Sequence, residues 1–204
     1  MQELFTLSEA AAIAEISPDT LRTALEKKSV KPSRRQRVGR AVRHKFSEAD
    51  ILLAKVLVDF PFALSKQDKQ SLAQVLVAGA RRSACWSLRR AELVYQCGEM
   101  RLSINCKPLQ QKIERNLAAY RAGQRRVVSK PGVLGGEPVF RGTRIPLQHV
   151  AALFRKGVAE LEIRQDFPHL TSRDLNYARL ASRFLEKPGR PKKALNFQKQ
   201  TRAA

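Results

Sequence analysis

Histidine and cysteine are scarce in this chain of 204 residues, with three of each. Cys85, Cys97 and Cys106 form no C-x-x-C pair and have no histidine cluster beside them, so the sequence offers no structural zinc site. An odd number of widely spaced cysteines makes no disulfide framework either. They read as reduced thiols in core or strand positions of a cytoplasmic protein. Acids are also few: 18 Asp and Glu stand against 39 Lys and Arg. They are too scattered for a two-metal nuclease. Neither G-x-x-x-x-G-K nor G-x-S-x-G occurs, and no two histidines lie one helical turn apart. His44 reads as a residue of a basic hairpin near phosphate or solvent. His149 and His169 read as surface or packing residues. The expectation is therefore no enzyme, no cofactor and no metal. No stretch approaches the ~20 apolar residues of a membrane span. The N-terminus lacks a basic region followed by an apolar core, so no secretory signal is expected.

What is present is positive charge, a formal +21. Such an excess calls for an anionic partner: nucleic acid, an acidic protein surface or a membrane face. The length fits one or two domains, and 43% hydrophobic residues supports a core.

The N-terminal block reads as two short helices joined by a tight turn. Ser8 precedes the alanine-rich Glu9–Ala14. Glu15-Ile16-Ser17 makes the turn, and Ser17 caps a second helix that begins at Pro18, with Asp19 favourable at its positive end. Leu21 and Leu25 face the first helix, while Arg22, Thr23, Glu26 and Lys27 point outward. From Lys27 to Lys45 there are nine Lys or Arg and no acid. Pro32, Ser33 and Gly39 break this run into a hairpin-like wing. Ser47, with Asp50 three residues on, then caps a third helix made largely buried by Ile51, Leu52, Ala54, Val56, Leu57 and Val58.

Phe5-Thr6-Leu7-Ser8-Glu9-Ala10-Ala11, Ser17-x-x-Thr20-Leu21-Arg22 and Arg43-x-x-Phe46-Ser47-x-x-Asp50-Ile51 resemble the winged DNA-binding domain of MerR-type regulators. The resemblance covers about the first 58 residues. It implies a helix-turn-helix and a basic wing on double-stranded DNA. Phosphate contacts from Arg34, Arg35, Arg37, Arg40 and Arg43 would position the protein, with Thr20, Arg22, Thr23 or Lys27 reading base edges. MerR proteins usually continue into a long dimerisation helix, whereas here Phe60-Pro61-Phe62 breaks the third helix.

In the middle, Ser65 starts a helix through Leu72, Val75 and Leu76 to about Ala80. Trp86 reads as a packing residue, with base stacking the alternative. Leu93-Val94-Tyr95, Gly98-Glu99 and the alternating Met100, Leu102 and Ile104 read as a β-hairpin. Pro108 opens a helix through Ile113, Leu117 and Tyr120, ended by Gly123. Arg125–Val128 reads as a strand. The hairpin is expected to pair with Val127-Val128 and Val139-Phe140 in one small antiparallel sheet.

The stretch Gly135-Gly-Glu-Pro-Val-Phe-Arg-Gly-Thr-Arg-Ile-Pro146 is an irregular loop. It serves either as a phosphate cradle using Arg141 and Arg144, or as a structural turn fastened by Thr143 and Arg144. After it, Leu147, Val150, Ala151 and Phe154 mark an amphipathic helix stopped by Gly157. Ile163 and Phe167 mark a second helix, stopped by Pro168. Thr171 and Asp174 make a capping box for a third, carrying Leu175, Ala178, Ser182 and Leu185.

Gly135-Gly136-x-Pro138, Arg141-Gly142-Thr143-Arg144-Ile145-Pro146, Gly157, Ile163 and Phe167-Pro168-x-Leu170-Thr171 resemble the domain of unknown function family 433, found in antitoxins of VapB type. The similarity runs from about Arg126 to Leu185. Ala159 stands where that family usually has a capping residue, and Leu161 where it often has Glu. The resemblance implies an antitoxin that neutralises a toxin of PIN-like ribonuclease fold. After Glu186 come six Lys or Arg and no acid. In this tail Leu195 and Phe197 read as apolar anchors, with Arg190, Lys192 and Lys193 set against the toxin's acids. An inert tail and an AT-hook at Gly189-Arg190-Pro191 are the alternatives.

The fold class expected is mainly α with a small antiparallel β-sheet (α+β), in four parts. Residues 1–60 are a winged helix-turn-helix, 61–125 a middle region, 126–186 a three-helix platform and 187–204 a basic flexible tail. The function expected is antitoxin and autorepressor, as a homodimer or a toxin–antitoxin hetero-oligomer. The alternatives are a stand-alone MerR-like regulator and an RNA- or ribosome-binding module.

Overall fold

The computed structural model describes residues 3–39, 41–60, 62–129, 131 and 134–185. Over these residues the chain is a mixed α+β fold, with several helices and three small antiparallel sheets. Among them no helix is long and apolar enough to cross a membrane.

Strand β1 (Phe5–Thr6) leads directly into α1 (Leu7–Ala14). The helix begins two residues before the expected Glu9, and its cap is Thr6. Its side chain accepts from the Glu9 amide, and the Glu9 carboxylate accepts from the Thr6 N–H at 2.7 Å, a complete capping box. The Ser17 cap of α2 (Pro18–Glu26) is as expected. Strands β2 (Arg34–Val38) and β3 (Ala41–Phe46) form the anticipated hairpin, and β1 adds to β3 through Phe5 opposite Phe46. Both phenylalanines are fully buried, so this pairing seats the hairpin base in the core. Helix α3 (Glu48–Asp59) is capped by Ser47 and Asp50. Val58, assigned above to its buried side, is 42% exposed, and Leu53 is buried instead.

Helix α4 (Lys66–Leu76) ends before Ala80, with Gly79 following at φ +74°. The second sheet has the order β4 (Arg82–Ser83), β5 (Trp86–Arg89), β6 (Glu92–Cys97), β7 (Met100–Asn105). The expected hairpin is its β6–β7 edge, but it does not pair with Val127-Val128. Those residues form β8, which pairs with β9 (Val139–Phe140) in a separate two-stranded sheet. The hairpin is satisfied by β5, whose strand signal is interrupted by arginines. Trp86 is fully buried between Phe60 and Tyr95, which rules for packing over base stacking.

Helix α5 (Lys107–Arg126) is the longest element, and α1, α3 and α8 all pack on it. It does not end at Gly123, and Arg125 and Arg126 are helical rather than extended. Gly123 is required by packing. A Cβ there would lie 1.9 Å from Cγ and 2.4 Å from Cβ of Tyr177, atoms at the root of that side chain that cannot swing aside. Helices α6 (Leu147–Arg155), α7 (Glu160–Asp166) and α8 (Ser172–Ala181) follow the expected apolar stripes, except that Phe167 and Ser182 are C-caps and Leu185 lies beyond α8. Ala159 gives α7 no side-chain cap, and Leu161 is 70% exposed. Most of the buried apolar residues of these segments belong to one continuous cluster.

Asp174 joins the last helix to α5. Its carboxylate caps α8 through Thr171 and accepts two bonds from the Arg126 guanidinium, one at 3.0 Å. Burial pushes the Asp174 carboxyl up, but Arg126 and Thr171 more than offset this and hold it below its ordinary value. A carboxyl lowered on folding stabilises the fold above its unfolded pKa and loses that contribution as pH falls through the folded value. Melting temperature should therefore fall in acid below about pH 4, and Asp174→Asn should flatten that dependence. Thermal denaturation of both proteins across pH 2–6 checks this. Gly123→Ala offers a sharper sign test. Helix propensity alone predicts a gain of about 1 kcal/mol. Overpacking against Tyr177 predicts a loss of about 1–3 kcal/mol, which we expect urea denaturation to show.

Candidate nucleic-acid interface

The N-terminal cations are displayed by two elements. Thr20 and Thr23 of α2 and its C-cap Lys27 fall on one exposed face and, with Asp19, Leu57, Val58 and Lys69, border a shallow concavity of about 430 Å³. Arg22 is not among them. It lies on the adjacent face, where its guanidinium binds Asp19 at 2.6 Å. That pair is more than half exposed on both sides, so it holds Arg22 only weakly. The Thr20 hydroxyl is engaged with Ser17 Oγ at 2.7 Å, which orients it at the start of the helix.

The hairpin carries the rest. Cross-strand partners share a face: Arg35 and Arg37 stand with His44 and Val42, while Arg34 stands with Lys45, and Gln36 with Arg43. The positive charge therefore covers both faces of a projecting ribbon, not the single arc that its run in sequence suggests. Arg34, Arg35, Arg37 and Arg43 are exposed, and among the described residues none has a carboxylate within ion-pair distance. Two further apolar side chains, Val38 and Val42, are exposed near the hairpin tip. Arg40 lies outside the described residues, as do Arg190, Lys192, Lys193, Leu195 and Phe197 of the basic C-terminal segment.

One residue sets where the hairpin points. Asp50, 2% exposed, accepts from the Ser47 N–H at 2.8 Å within its capping box. The same oxygen accepts from the N–H of Ser33, at 3.1 Å, and from the Ser33 hydroxyl. Ser33 immediately precedes β2, so the N-terminus of α3 clamps the hairpin's first strand. The cap was legible from Ser47-x-x-Asp50, but the clamp spans 17 residues and leaves no local signal.

Elsewhere the candidates resolve plainly. In the Gly135–Pro146 loop, the Thr143 hydroxyl donates to the Phe140 carbonyl at 2.9 Å and accepts from the Ile145 N–H at 3.1 Å. That is the structural turn. Arg144 is exposed and among the described residues makes no hydrogen bond or ion pair that fastens it, and Arg141 is exposed beside Gly142. His149 is exposed and lies edge-on to Phe167, and His169 is exposed. Cys85 and Cys97, distant in sequence, are neighbours across the second sheet, where burial and then the Cys97 thiol push the Cys85 thiol up. Cys106 is buried. Among the described residues no three His, Cys, Asp or Glu side chains are grouped to hold a metal.

Residues 127–179 match the family model described as protein of unknown function (DUF433), so a domain of that family lies near the C-terminus. The uncharacterized protein y4eO of Sinorhizobium fredii (strain NBRC 101917 / NGR234) is 35% identical over 85 residues, 42% of this chain. The aligned region spans 37% of that relative's length. The crystal structure of Rv2018 from Mycobacterium tuberculosis aligns with 86% of this chain and 96% of its own, at 18% identity and a TM-score of 0.31. A score that low carries no fold over.

Proposed function

We propose that the chain is a DNA-binding antitoxin. Its first 60 residues act as a MerR-like winged helix-turn-helix, and its C-terminal part engages a PIN-like ribonuclease toxin. The observation that carries the DNA-binding half is the clamped hairpin. It presents Arg34, Arg35, Arg37 and Arg43 without a carboxylate partner among the described residues, next to an exposed α2 face bearing Thr20 and Thr23 with Lys27 at its end. Unpaired guanidinium groups on a projecting ribbon suit phosphate oxygens, and binding there gains free energy from counterion release. A helix whose exposed face carries hydroxyls and a lysine suits base edges in the major groove. The antitoxin half rests on the C-terminal family domain and on the VapB-type resemblance stated above. The protein represses its own operon in this reading, and a second copy supplies the other half-site.

Duplex DNA from upstream of the chain's own gene, titrated over a range of salt, tests the first half. Replacing Arg34, Arg35 and Arg37 with Gln should flatten the slope of log K against log salt by about 0.9 for each lost phosphate contact. An unchanged slope removes the hairpin from the interface. For the second half, co-expression with the neighbouring gene's product should relieve growth arrest and yield a stable complex. Deletion of residues 187–204 should abolish relief and spare DNA binding. Arrest that persists with the full chain, with no complex formed, overturns the antitoxin reading.

A further inference from the structure

We infer that the groove between α5 and α8 is a docking site for an acidic, amphipathic helix of a protein partner. This site lies apart from the hairpin, and it does not depend on the partner being a toxin. The groove encloses about 960 Å³. One wall is a single face of α5, along which Arg115, Ala119, Ala122 and Arg125 recur at intervals of three or four residues. The facing wall carries Arg173 and Leu180 of α8, with Arg183 just beyond its end.

The two helices run antiparallel. Arg126 meets Asp174 towards one end, and Lys112 and Arg183 share Glu15 at the other. An arginine pair therefore stands at each end: Arg125 with Arg173, and Arg115 with Arg183. Along α5 the ends are about three turns, or roughly 15 Å, apart. Between them runs a strip of carbon, made by the Ala119 and Ala122 methyls over a Leu180 that is 4% exposed, with Asn116 and Asn176 beside it. Among the described residues Arg115, Arg125 and Arg173 have no carboxylate within ion-pair distance, and Glu15 is the single acid lining the groove.

Charge decides the occupant. A second copy of a chain at +21 is repelled by this surface. So is the chain's own segment 187–204, with six Lys or Arg and no acid. Nucleic acid uses the cations but has no use for the strip of alanine methyls. An acidic amphipathic helix uses both. Small floor residues admit its large apolar side chains at close interhelical distance, and its flanking carboxylates take charge-assisted bonds from the arginines at each end. The arginines also steer such a partner in and set its register.

The test uses fluorescence anisotropy with the full chain and a labelled synthetic helical peptide. The peptide carries leucines on one face and glutamates about three turns apart at its edges. The control is the same composition shuffled. The patterned peptide should bind at least tenfold tighter than the control. Arg125→Glu with Arg173→Glu should weaken it tenfold or more while thermal unfolding and hairpin-dependent DNA binding stay unchanged. The milder Arg125→Gln should weaken it less, and Ala122→Trp should weaken it by filling the floor without altering charge. Equal binding of the two peptides, or unchanged affinity in the charge-reversed variant, overturns the proposal. Displacement of the peptide by duplex DNA, with DNA affinity lost in the same variant, also overturns it and assigns the groove to nucleic acid. A self-association that the variant abolishes overturns it in favour of a second copy.

Discussion

At Gly123 the backbone of α5 lies against the root of Tyr177, with no room for even a methyl group between them. Much of the architecture depends on that approach. It sets α8 against α5 and lets Arg126 reach Asp174, so that one carboxylate both caps α8 and ties it to the longest helix. The ring of Tyr120 on the same helix meets Tyr177, Phe184 and Phe5, and its hydroxyl donates to Glu9 at 2.8 Å. Burial in this cluster pushes the Tyr177 phenol up to about 12. The N-terminal helices and the C-terminal family domain thus meet on α5, and the residues left outside that contact form the arginine-edged groove.

A second constraint orients the hairpin. Two-stranded ribbons are marginal on their own and need packing or a tether. Here β1 adds a third strand, Phe46 is buried at the base, and Asp50 holds Ser33. With the base held this way the ribbon can carry a dense positive charge that would otherwise repel itself. Among the described residues its Arg34, Arg35, Arg37 and Arg43 have no carboxylate within ion-pair distance, whereas several arginines of the C-terminal half are committed internally: Arg126 to Asp174, and Arg164 and Arg179 to Glu160. That contrast separates charge that holds the structure from charge left for a partner.

Local chemistry was readable in advance, and distant pairing was not. Ser17, Ser47 and Thr171 announce their helices because a cap acts within three residues. The stripes of Leu147, Val150 and Ala151, and of Leu175 and Ala178, follow the helical period and are buried as that period requires. Gly123 misled because glycine commonly follows a helix end, and only the presence of Tyr177 from another helix explains it. The expected single antiparallel sheet of β6–β7 with β8 and β9 does not form for a related reason: the hairpin's partner β5 is only four residues long and ends in the Arg89-Arg90 pair, which hides its strand pattern. Of the candidate interface, the exposed α2 face and the hairpin were legible from caps and from a run of one sign. The clamp at Asp50 and the facing arginines of α5 and α8 are tertiary and left no trace in any one segment.

The central claim is that two separate basic surfaces serve two kinds of partner, the hairpin with α2 for DNA and the α5–α8 groove for protein. Hydrogen–deuterium exchange of the full chain, with and without a duplex from upstream of its own gene, tests it most directly. The account predicts slowed exchange in residues 18–27 and 34–46 and unchanged exchange in residues 107–126 and 172–181. Protection spread over α5 and α8, with the hairpin unaffected, would contradict it.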